Sequence, residues 1–130
     1  MTYNSKPKTN GAFSLVEMLV VIAVIGILAA IAVPQISNIN NAANDAKYRR
    51  NAQNLASVCA SAQAAGYDFV SESGGDLGDT IEAIVTGATI TDTTSPFYNT
   101  FFGVPNMSAD EQTGTEDYLA IDNGVLVYGE

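Results

Sequence analysis

Glu17 is the one charged residue in the apolar run from Phe13 to Val33. About 20 apolar residues span a bilayer as a helix, and an acid held in hydrocarbon costs about 2.5–3.5 kcal/mol on insertion scales. A lone carboxylate placed there calls for a cationic partner. Glu is shorter than Lys or Arg and sits a full turn inside the run, so snorkelling to the headgroups relieves it poorly. Phe13 lies four residues earlier, on the same helix face. Other chemistry is poorly supplied. The chain has no His and a single Cys, Cys59, so Ser-His and Cys-His nucleophile systems are excluded. Cys59 has no basic surroundings to lower its pKa and no partner for an internal disulfide. The loop carboxylates show no spacing that singles out a glycosidase-type pair, and no enzyme is expected.

The elements that position Glu17 begin with a leader, Met1 to Ala12, which carries Lys6 and Lys8 and no acid. Such a segment stays on the cytoplasmic side while the rest crosses. A basic leader before an apolar segment also describes a secretory signal peptide, and Ala30-Ile31-Ala32 offers a small-x-small cleavage site. That reading makes the chain an exported envelope protein without an anchor. An ordinary signal core runs about 7–15 apolar residues without a charge, whereas this run is longer and contains Glu17. A retained anchor is the expectation.

The segment Phe13-Ser14-Leu15-Val16-Glu17-Met18, with the apolar run behind it and Pro34 closing it, resembles the N-terminal signature of type IV pilins and type II secretion pseudopilins. The resemblance covers about the first quarter of the chain. It implies cleavage by a prepilin peptidase on the cytoplasmic face, leaving Phe13 first in the mature chain with Glu17 four residues on, and N-methylation of Phe13. The family nearly always has Gly before the cut, and here the junction reads Gly11-Ala12-Phe13. Cleavage between Ala12 and Phe13 keeps the Phe-to-Glu spacing and is preferred. Cleavage between Gly11 and Ala12 restores the usual Gly but moves Glu17 to the sixth mature position.

The cut would turn a peptide bond into a free α-amino group, cationic near neutral pH. An incoming subunit could then set its Phe13 amine against the Glu17 carboxylate of a neighbour. Two buried opposite charges need good geometry to offset their desolvation, so the pair is expected to set register more than to add stability.

Pro34 lacks an N–H and crowds the carbonyl four residues back, so a kink or a locally unwound stretch is expected between about Ala30 and Pro34. The helix should resume and run to Ala65, with Gly66 just past its end. In its second half Tyr48, Ala52, Leu55, Cys59 and Ala62 recur at helical spacing, with Val58 beside them. That stripe should receive a small head. In residues 67–130 the sequence predicts a loop at Ser71 to Gly75, then a helix over Thr80–Thr86 with Asp79 as N-cap, Glu82 closing a capping box and Gly87 past its end. A strand over Phe101–Val104, an acidic loop, and a hairpin of Tyr118–Ile121 and Val125–Tyr128 joined by the turn Asp122-Asn123-Gly124 follow. With so little material the head has no independent core, and the long helix must supply one face.

Charge is segregated. The last basic residues are Lys47, Arg49 and Arg50, and only Glu17 and Asp45 of the 14 acids precede residue 51, so the remainder of the chain carries twelve acids and no base. Such acids solvate a surface, and they could also meet the Lys47, Arg49 and Arg50 band of neighbouring subunits. Nucleic acid is not an expected partner, because phosphate contact needs Lys and Arg. No cofactor is required. Major pseudopilins, which the chain resembles in size, bind calcium in a C-terminal loop, and carboxylates suit Ca2+; Asp110, Glu111, Glu116 and Asp117 are the candidate ligands, without EF-hand spacing.

The expected fold class is therefore α+β: leader 1–12, membrane and assembly helix 13–33, continuation 34–66, acidic head 67–130. The resemblance implies a single-pass protein of the bacterial inner membrane with its head in the periplasm, built into a homo-oligomeric filament. Its partners would be minor pilin-like subunits, the prepilin peptidase and N-methyltransferase, the assembly platform and its ATPase. The compact head, the missing cysteine pair and the terminal hairpin favour a pseudopilin of type II secretion over a type IV pilus subunit.

Overall fold

The computed structural model describes residues 13–129, and the leader with its Gly11–Ala12 junction lies outside them. The chain divides into two compact units, one ending at Asn40 and one beginning at Asn41. The element order is α1 (Leu15–Ala64), α2 (Phe69–Glu72), α3 (Leu77–Thr86), β1 (Ala88–Thr89), β2 (Phe101–Phe102), α4 (Ala109–Glu116), β3 (Leu119–Asp122) and β4 (Val125–Tyr128). The class is α+β.

In the first unit α1 is apolar on every side and its side chains are exposed. A helix of that kind is either wrapped by other protein or held in lipid, and α1 is long and apolar enough to cross a membrane. Pro34 lies inside α1, which stays helical through Ala30–Pro34, so the alternative of a locally unwound stretch there is not what forms.

In the second unit the expected stripe is the core seam. Ala52, Leu55, Cys59 and Ala62 of α1 are buried against Phe69 and Val70 of α2, Ile81 and Ile84 of α3, Leu119 of β3 and Leu126 of β4. Val58 packs half-buried against this core, whereas Tyr48, also half-buried, lies against Gly114 of α4. The helix stops one residue earlier than expected, at Ala64, and the reason is local. Gly66 takes φ +95, and the N–H groups of Tyr67 and Gly66 donate to the carbonyls of Ala62 (2.9 Å) and Gln63 (3.0 Å). That is the paired bonding of a Schellman end, which satisfies carbonyls the helix would leave open.

Four head expectations are corrected. The loop expected from Ser71 begins later, because Asp68 accepts from Val70 N–H (3.1 Å) and Ser71 N–H (3.2 Å) and so starts the short α2. α3 begins three residues before Thr80, capped by Asp76, which accepts from Asp79 N–H at 3.1 Å. The earlier start buries Thr80 completely, its hydroxyl donating to Asp76 O (2.5 Å) and lying 2.6 Å from Ser73 Oγ. The capping box sits elsewhere, at Ser108 and Glu111, where it starts α4 in the segment expected to be an acidic loop. The strand expected over Phe101–Val104 shortens to β2, because Val104 N–H donates instead to Ile84 O (3.0 Å).

The strands form two antiparallel two-stranded sheets, β1 with β2 and β3 with β4. The C-terminal hairpin forms as expected, but Asp122 belongs to β3 and pairs with Val125, so the turn is Asn123-Gly124 alone. Both turn residues have positive φ (51 and 78), as a two-residue turn matched to strand twist requires.

Candidate functional site

Ser14 directly precedes α1, and its carbonyl accepts from Met18 N–H at 3.2 Å. Two side-chain bonds complete that end: Val16 N–H donates to Ser14 Oγ (3.3 Å), and Ser14 N–H donates to Glu17 Oε2 (2.8 Å). This is close kin to a capping box, in which a helix's first polar residue and an acid three positions on satisfy each other's backbone donors. The Ser14-x-x-Glu17 spacing was readable, yet Ser14 was missed as a member of the site.

The geometry matters for Glu17. The positive end of a helix favours an anion in its first turn, and the Ser14 N–H holds one carboxylate oxygen. Phe13 is exposed just ahead of the helix, and with Val16, Met18, Val20 and Val21 it lines an open, mainly apolar hollow that contains Glu17. The two residues named for assembly are therefore brought together in one chain. The preferred cut also falls beside them, although its Ala12 side, like the Gly11–Ala12 alternative, lies outside the described residues.

The basic band is divided by the fold. Lys47 Nζ lies 2.7 Å from Glu111 Oε1. Hydrogen bonds from Lys47, then from the Ser108 hydroxyl and N–H, lower the Glu111 carboxyl to about 2, and the Glu111 bond raises Lys47. Arg49 Nε lies 3.2 Å from Asp45 Oδ2, and its guanidinium stands 5.0 Å from the centre of the Tyr118 ring. The Tyr118 hydroxyl donates to Asp45. That bond lowers Asp45 and raises Tyr118, with desolvation opposing the first and adding to the second. Arg50 is exposed and forms no ion pair among the described residues.

Asp45 and Tyr118, missed in the sequence, thus tie α1 to the head. The Asp45–Arg49 spacing of four was a readable helix pair. Tyr118 lies 73 residues from Asp45, and no local pattern signals such a contact.

The candidate calcium ligands are spread along one helix. Asp110 and Glu111 lie in the first turn of α4, Glu116 at its last residue and Asp117 at its C-cap. Glu111 is engaged by Lys47 and Ser108. Among the described residues no group of three or more His, Cys, Asp or Glu is placed to hold a metal ion. Cys59 is buried, and desolvation raises its thiol above the ordinary value, which makes it a packing residue.

No curated protein and no solved structure matches the chain. Residues 7–33 match the family model described as the prokaryotic N-terminal methylation motif. That match, laid on a long apolar helix whose first turn carries Glu17, supports a type IV pilin-like, membrane-anchored protein with a prepilin-type N-terminus.

Proposed function

We propose that this chain is a structural subunit of a type II secretion pseudopilus. In this reading prepilin peptidase cuts between Ala12 and Phe13 and the new Phe13 amine is methylated. The head stands in the periplasm while α1 anchors the subunit in the inner membrane. An ATPase and platform protein then lift subunits into a helical filament, together with minor pilin-like subunits. The role is mechanical: the growing filament pushes folded proteins outward.

One observation carries this reading, the methylation motif over residues 7–33 coinciding with a helix start that orients Glu17 beside Phe13. Each incoming Phe13 amine would meet the Glu17 carboxylate of a neighbour, so a charge exposed to lipid in the free subunit becomes paired in the fibre. The compact head, the buried lone Cys59 and the terminal hairpin support the pseudopilin reading over a type IV pilus.

The mass and N-terminal residue of the mature protein test the core of it. Methyl-Phe13 is the expected result. A mature chain starting at Val33 or retaining Met1 would sink the proposal. Deleting the chain separates the two machines: loss of protein export with pili intact is expected, and the reverse phenotype would make it a pilus subunit.

A further inference from the structure

Arg50 and the cleft between α2 and α3 are each left incomplete within one chain, and their chemistries are opposite. Lys47 is engaged by Glu111, and Arg49 by Asp45 and Tyr118. Arg50 is exposed, two helical turns from exposed Ala43, on the face of α1 opposite the buried Ala52, Leu55, Cys59 and Ala62. With Ala43, Ala46 and Lys47 it lines a shallow hollow on the helix, where the two small side chains leave room for a partner's surface.

The cleft has Phe69 and Gly87 on its floor, and the Tyr67 ring stands edge-on to Phe69 with centroids 4.8 Å apart. Glu72, Asp79 and Glu82, all exposed, line its rim. No Lys or Arg follows Arg50 in the chain, so the head has no base of its own to answer them. Nor do these acids converge on a point, since among the described residues no three carboxylates are close enough to hold a metal. Their spread beside an aromatic ring suits a broad, planar cation. A guanidinium takes carboxylates with its fork and stacks on an aromatic face.

We propose that Arg50 of one copy docks in the α2–α3 cleft of a second copy, its guanidinium among Glu72, Asp79 and Glu82 and against Tyr67. The contact deepens the filament reading and rests on it. It narrows the electrostatic contact between subunits from a band of three bases to one, and gives that base an address.

The test uses the full chain expressed with its assembly machinery. Arg50→Glu and Glu82→Arg should each lower fibre yield by about tenfold, because like charges then face each other. The doubly reversed chain should recover most of that yield. All the altered side chains are exposed, so melting of the variants should match the wild type. Independently, Arg50→Cys with Glu82→Cys should give an oxidative ladder of dimers and higher species in assembled fibres, with buried Cys59 silent. Wild-type yield from Arg50→Glu, no recovery in the double reversal, or fibres that form without cross-links would overturn the contact and leave the filament reading standing. A wild-type chain that forms no fibre would overturn both.

Discussion

Glu17 illustrates how one carboxylate can be made tolerable before it finds its partner. The Ser14 N–H, 2.8 Å away, uses one oxygen and the helix end adds its own positive field, so the free subunit is not left with a bare anion. Glu17→Ala is expected to enter the membrane normally and to be absent from fibres. Cell fractionation with electron microscopy checks this, and normal fibres would remove the assembly role. At Glu111 the consequence is a pH dependence. Its carboxyl lies at about 2 in the folded head against an ordinary 4.5. Its contribution is therefore present above about pH 4.5 and lost as pH falls through about 2. Lys47, raised by the same pair, gives a contribution complete below its ordinary 10.5 and lost as pH rises through its folded value. Both side chains meet solvent, so the pair is screened and its main effect is to seat α4. Melting of the head should accordingly hold steady from pH 5 to 9 and decline toward pH 2, with Glu111→Gln showing a shallower acid decline.

Among the elements, α1 in the second unit and α4 depend on each other through one close approach. A Cβ at Gly114 would sit 2.7 Å from the Tyr48 ring. Alanine is the better helix former by about 1 kcal/mol, yet Gly114→Ala should destabilise the head by about 1–3 kcal/mol through overpacking. Adding Tyr48→Ala should relieve the clash, which a double-mutant cycle by chemical denaturation measures. Leu55, fully buried at the centre of the seam, poses the opposite case. Leu55→Ala should cost about 2–5 kcal/mol by leaving a cavity that α1 cannot close, read from the same denaturation curves. An unchanged midpoint would mean that the seam is not the core. The elements also differ in how far their sequences announced them. The Ala52–Leu55–Cys59–Ala62 stripe and the Asn123-Gly124 turn are local patterns with one reading each. α4, Ala-Asp-Glu-Gln-Thr-Gly-Thr-Glu, has no apolar stripe and reads as loop. It is helical because Ser108 and Glu111 cap it, Thr115 is buried and Tyr48 meets Gly114.

For the whole molecule, the dominant fact is that every base precedes residue 51 and twelve of 14 acids follow it. Attraction between such ends falls with ionic strength over a Debye length of about 10 Å at 0.1 M. Fibre assembly should weaken as salt rises from low concentration to about 0.5 M, measured by sedimentation of sheared fibres. The sequence alone determined the apolar helix, the buried-acid problem at Glu17, the helical core stripe, the terminal hairpin and the α+β class, since each follows from periodicity, chain-local sterics or the solvation of one charge. Only tertiary structure decided that β1 meets β2 in a second small sheet, and that Lys47 is engaged by Glu111 and the Arg49 guanidinium by the Tyr118 ring while Arg50 is not. Those outcomes turn on partners far apart along the chain, such as Tyr118 with Asp45 and Glu111 with Lys47. A linear pattern carries no record of which distant side chain will reach a given surface.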